Sequence, residues 1–123
     1  MRWIVTLMMT ALLLASPVSA GASHRPTRYC SVTGDICQST TRVNGVRRLT
    51  IALAAEYFHW YTLCVRAPDD SVTCHRFAIH AQGPTFGSSI RWARHFPRKG
   101  PGPYTVVWKS GGHRVGHILG FHQ

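Results

Sequence analysis

Acidic residues are scarce. The chain of 123 residues has four, Asp35, Glu56, Asp69 and Asp70, against 14 Lys and Arg, for a formal net charge of +10. Three of them stand among turn formers, in Thr33-Gly34-Asp35 and Pro68-Asp69-Asp70. Asp is favoured there because its carboxylate bonds its own backbone. Paired-carboxylate hydrolysis and calcium binding therefore lack ligands. Methionine is confined to Met1, Met8 and Met9, near the start of the chain. No G-x-S-x-G, H-E-x-x-H, P-loop or C-x-x-C occurs. A ribonuclease-like His-His-Lys set could draw on Lys109, but no spacing supports it. No catalytic residue is assigned, and an enzyme is not expected. Long stretches of helical periodicity are absent too. Only Leu53 to His59 could be read that way, and its apolar residues fit strand edges equally well.

Export is the first thing the residues point to. Arg2 precedes an apolar run from Ile4 to Leu14, too short to span a bilayer as a helix. Pro17 then breaks the chain before Val18 and Ala20, small residues at the positions that signal peptidase reads. This is the three-part pattern of a cleavable secretory signal over residues 1–20, with cleavage after Ala22 as the variant. No stop-transfer pattern follows, so a retained anchor is the weaker reading, and no anchor is expected after cleavage. The remainder divides into a polar lead-in, 21–28, and one domain, 29–123, large enough for a modest core. Its product is expected to be extracellular and monomeric. The three methionines leave with the signal, which excludes Cu(I) capture by thioethers.

Strand patterns recur through the domain. Leu49, Ile51 and Leu53 alternate with Arg48, Thr50 and Ala52. Tyr61, Leu63 and Val65 alternate with Thr62, Cys64 and Arg66. The same period of two runs through Phe77 and Ile79, through Tyr104, Val106 and Trp108, and through Val115, Leu119 and Phe121. Turns are marked at Thr33-Gly34, Asn44-Gly45, Pro68-Asp69-Asp70 and Gly111-Gly112. Seven or eight short strands of this kind predict an all-β antiparallel sandwich of immunoglobulin-like type. Its core draws on Leu49, Ile51, Leu63, Val65, Phe77, Ile79, Val106, Trp108, Leu119 and Phe121.

The turns also choose the disulfides. Four cysteines in an oxidising compartment imply two bridges in one of three connectivities. A three-residue loop at Pro68–Asp70 sets Cys64 opposite Cys74, on the outer side of the hairpin. A two-residue turn at Thr33-Gly34 sets Cys30 opposite Cys37. The prediction is Cys30–Cys37 and Cys64–Cys74, against an inter-sheet rival such as Cys37–Cys74 or Cys30–Cys64. Bridges over loops this short contribute roughly 2–3 kcal/mol each in the chain-entropy model.

The stretch Pro101-Gly102-Pro103-Tyr104-Thr105-Val106-Val107-Trp108 resembles the F strand of immunoglobulin-like domains, with Tyr104 at the place of a tyrosine corner. Its continuation through Gly111-Gly112-His113 to Gly120-Phe121 resembles the final hairpin of periplasmic copper-binding domains of the CopC type. The cysteine hairpins, Trp92-Ala93-Arg94-His95-Phe96-Pro97 and the Gly-Gly hairpin resemble a group of small secreted bacterial immunoglobulin-like proteins that brings no known activity. The copper resemblance implies a Cu(II) cofactor with His113 as a ligand. It is incomplete: Gly112 stands where an Asp is expected, and the expected mature N-terminus is Gly21, not His. A cut after Gly21 would instead leave Ala22-Ser23-His24 as an amino-terminal copper clamp. His113 and His117, roughly 13 Å apart on one strand, cannot share an ion unaided.

The remaining signal is charge. Of the basic residues only Arg2 leaves with the signal, and Arg91, Trp92, Arg94, His95, Phe96, Arg98 and Lys99 concentrate basic and aromatic groups. Arg beside aromatics can pair with and stack on anionic polymers. In a secreted protein the expected partner is an anionic cell-envelope polymer or lipid surface, with no specific nucleic acid. The binding residues are expected to be Arg91, Trp92, Arg94, His95, Arg98 and Lys99. Copper binding is the alternative. A small-ligand or protease-inhibitor scaffold is another, with Pro68–Ser71 as the candidate inhibitory loop.

Overall fold

The computed structural model describes residues 25–123. The expected signal, residues 1–20, lies outside the described residues. Ten strands and one short helix follow in the order β1 (Arg28–Cys30), β2 (Ile36–Ser39), β3 (Arg42–Val43), β4 (Val46–Leu53), β5 (Trp60–Arg66), β6 (Val72–Ala78), β7 (His80–Gln82), β8 (Thr85–Arg91), α1 (Trp92–His95), β9 (Pro103–Ser110) and β10 (His113–His122). All pairings are antiparallel. One sheet runs β1-β2-β4-β8-β7, with β3 also on β4; the other runs β10-β9-β5-β6. The count exceeds seven or eight through short pieces such as β3 and β7. Residues 54–59 connect β4 to β5 without a helix.

Local turn chemistry sets the registers. Asn44 and Gly45 both have positive φ, 50° and 77°, the two-residue hairpin conformation that matches strand twist. Cys30 lies directly opposite Cys37 and Cys64 opposite Cys74, and both pairs are bridged. These bridges fit an oxidising environment. No helix among the described residues is long and apolar enough to cross a membrane.

The core lies between the sheets. Leu49, Ile51, Leu63, Val106, Trp108 and Leu119 are all fully buried, with Val65, Ile79 and Phe121 nearly so. Phe77 is only half-buried, because β6 is an edge strand. Tyr61, Tyr104, Leu53, Trp92 and Phe96 complete the core. The Tyr104 hydroxyl donates to Gly100 O at 2.7 Å and accepts the Lys99 N–H at 3.0 Å. Tyr61 donates to Ser88 Oγ at 2.7 Å. Burial pushes its hydroxyl up to about 12, against a smaller opposing pull from Ser88, so it stays a neutral donor.

β8 has no obvious strand pattern, since Gly87, Ser88 and Ser89 are poor strand formers. Packing explains them. A Cβ at Gly87 would stand 2.5 Å from Ile51 O, and Ser88 fits under the Tyr61 hydroxyl.

Two buried polar side chains tie the sheets together. Gln38 Nε2 donates to Val115 O at 2.9 Å, and the His117 N–H donates to Gln38 Oε1 at 3.0 Å. Thr40 Oγ1 donates to Gly120 O at 2.8 Å. Gln38 thus satisfies the backbone that β10 frees where its register slips between Val115 and Leu119.

Candidate anion-binding surfaces

No strand carries a carboxylate, and neither does α1; all four acids lie in loops. Among the described residues the one side-chain ion pair joins His59 Nδ1 to Glu56 Oε1. The Asp69 carboxyl is held below its ordinary range by the Ser71 hydroxyl and amide, with a smaller pull from Lys99. The cations on the sheets are therefore not neutralised by neighbouring acids.

Arg48 and Arg91 stand directly opposite each other across β4 and β8. Like charges at such positions repel. Arg48 is nonetheless held along the strand: Nε donates to Ser89 Oγ at 2.9 Å and Nη2 to Ser89 O at 3.3 Å. Ser89 Oγ is itself 2.9 Å from Thr50 Oγ1. The chain turns into α1 just after Arg91, which brings Arg94 and His95 to the same rim. Together with Ser89 and Ile90 these four residues line a concavity of about 340 Å³. Three guanidinium groups and an imidazole thus border one concavity, side chains of the kind that bond phosphate, sulfate or carboxylate oxygens.

Three of the six expected binding residues, Arg91, Arg94 and His95, come together here. Trp92 does not. It is 1% exposed and packs edge-on against Tyr104 and Phe121, with ring centroids 5.0 and 5.2 Å away. The reading of Trp92 as a contact is corrected: a ring with no accessible face fills the core and cannot stack on a ligand. Phe96 is buried as well. Arg98 leans on the Trp92 ring at 5.8 Å, and Lys99 lies towards Asp69. The concavity instead recruits Arg48. Its outward place follows from the alternation of β4, but its partnership with Arg91 depends on β8.

A second cleft, of about 510 Å³, opens at one end of the sandwich and is lined by Arg25, Arg47, Arg66 and Asp70 among others. Its guanidinium groups are partly committed. Arg47 donates to Thr40 O and His122 O at 2.9 and 3.1 Å and covers the Phe121 ring. Burial, and then neighbouring Arg42, lower its pKa. Arg66 donates to Asp70 O.

His113 is exposed on the β9–β10 hairpin, opposite Ser110. Among the described residues no group of three or more His, Cys, Asp or Glu could hold a metal ion. Pro68–Asp70 is a tight turn closed by Ala67 N–H to Ser71 O at 2.9 Å, with Asp70 at φ 67°.

Comparison of the chain with family models, curated proteins and solved structures returns no match.

Proposed function

We propose that this is a secreted, non-catalytic β-sandwich protein that holds anionic polymers of the cell envelope through Arg48, Arg91, Arg94 and His95. The observation that carries the reading is the directly opposed Arg48–Arg91 pair in a concavity without a carboxylate. No carboxylate lines the concavity beside the two arginines, and an anion there would be drawn to both. A polymer is favoured over a lipid surface because no large exposed apolar side chain borders this concavity. The leader pattern of residues 1–20 and the two disulfides support export.

An immunoglobulin-like topology is part of the same reading. The order β2-β4-β8-β7 beside β10-β9-β5-β6 corresponds to A-B-E-D beside G-F-C-C′. The Tyr104 bond back to Gly100 supports it, as a tyrosine corner would.

Binding of this kind is dominated by screened charge. The purified chain should be retained on envelope material of the producing cell at about 0.1 M salt and released towards 1 M, as the Debye length falls from about 10 to 3 Å. No retention at low salt, or retention indifferent to salt, would contradict the reading.

A further inference from the structure

The opposite face of the molecule carries a second cationic row. On the outer side of the β10-β9-β5-β6 sheet, Arg76 pairs with Thr62, Thr62 with Lys109, and Lys109 with Arg114. These four residues form one line across all four strands. Three strand spacings make that line about 14 Å long. Arg76, Lys109 and Arg114 are all exposed. Lys109 and Arg114 are directly opposite, a further like-charge pair. Beside the line stands Trp60, half-exposed, with the Arg76 guanidinium 4.9 Å from its ring centroid. Trp60, Thr62, Arg76 and Lys109, with the β9–β10 turn, line a shallow groove of about 550 Å³. No acidic residue lines it.

The Arg48–Arg91 concavity and this row lie on different sheets of one sandwich, and each faces outward. Two packed sheets are separated by about 10 Å, so a single polymer strand lying on one face does not reach the other without wrapping an edge. We propose that the chain is bivalent, with each face taking a separate linear anionic polymer, so that one molecule cross-links two. The inference rests on the reading of the Arg48–Arg91 face given above and adds a second site with a consequence for assembly. The partner is a chain bearing closely repeated phosphate, sulfate or carboxylate groups. A row of three cations beside one flat aromatic ring suits that chemistry.

Long-chain inorganic polyphosphate is a suitable probe. A polyphosphate-coated surface first captures the disulfide-intact protein, and fluorescent polyphosphate is then added. The wild-type chain should hold the labelled polymer as a second layer. Arg76→Ala/Lys109→Ala/Arg114→Ala should still be captured, but its second layer should fall roughly tenfold or more, the equivalent of one lost charge-assisted contact. The Arg48→Ala/Arg91→Ala/Arg94→Ala variant should behave the same way, and the sixfold variant should not be captured at all. Five of the six side chains are exposed and Arg48 is half-buried, so the melting midpoint of each variant is measured alongside to verify that it folds. Capture of the wild type without any second layer would overturn bivalency and leave the single-face reading standing. So would a second layer on both triple variants equal to that of the wild type. No capture of the wild type would overturn both. Capture by vesicles of an anionic phospholipid, with none by polyphosphate, would overturn the polymer as the partner.

Discussion

Replacing Gly116 by Ala should remove about 3–5 kcal/mol of folding stability, a large share of what a domain this size possesses. Gly116 has a φ of 65°, where an L side chain costs roughly 1 kcal/mol. The larger effect is collision. A Cβ at this position would lie 2.2 Å from Gln38 Oε1 and 2.8 Å from its Nε2. Gln38 is 3% exposed and has little room to turn away. Displacing it frees Val115 O and the His117 N–H, whose bonds to Gln38 are part-buried, and each unmade bond costs about 1–3 kcal/mol. Gly111 supplies the control. Its φ is also positive, but nothing stands within 4 Å of its missing Cβ. Gly111→Ala should therefore cost only about 1 kcal/mol. Urea unfolding of both variants, with the disulfides intact, compares them directly. Equal losses would mean that Gln38 does not hold the irregularity in β10.

The second large effect concerns binding. Arg48→Ala/Arg91→Ala/Arg94→Ala should weaken attachment to envelope polyanion about a hundredfold at 0.1 M salt, taking roughly 1 kcal/mol for each exposed contact. Its affinity should also fall less steeply with salt, because fewer counterions are exchanged on binding. Arg98→Ala/Lys99→Ala should change the affinity several-fold at most, since Arg98 leans on Trp92 and Lys99 lies towards Asp69. Arg48→Lys should recover only part of the loss. An ammonium cannot reproduce the pair of bonds to Ser89 while facing a ligand. Isothermal titration with a defined anionic polymer measures each of these. A weaker Arg98/Lys99 variant beside an unaffected Arg48/Arg91/Arg94 variant would move the site along the chain and refute the present placement.

The contrast between these two sets of arginines marks where sequence reasoning stops. Features set by short-range rules were legible. A three-residue loop at Pro68–Asp70 places Cys64 against Cys74, and alternation places Leu49, Ile51, Leu63 and Val106 inside. Features set by packing between distant strands were not. β8 is hidden because Gly87, Ser88 and Ser89 are chosen for small size against Ile51 and Tyr61, which suppresses the usual strand signature. Without β8, Arg48 has no visible link to Arg91. Trp92 shows the converse: among basic neighbours an aromatic reads as a stacking platform, yet its position after β8 turns it into the core. Gln38 and Thr40 gave no signal either, because a buried polar residue is meaningful only beside the backbone it satisfies. In the Arg76–Thr62–Lys109–Arg114 row, the two hairpin pairings follow from local turns. The β5–β9 pairing that joins them does not.

On the proposed reading, cations opposed across the strands of sheets without a carboxylate are where this molecule meets its partner. That reading is tested most directly by titrating the ¹⁵N-labelled chain with short-chain polyphosphate and following the backbone amides. The largest shifts are expected at Arg48, Ser89, Arg91 and Arg94, with a second cluster at Arg76, Lys109 and Arg114. Shifts confined to the cleft of Arg25, Arg47 and Arg66, or an unchanged spectrum at low salt, would contradict it.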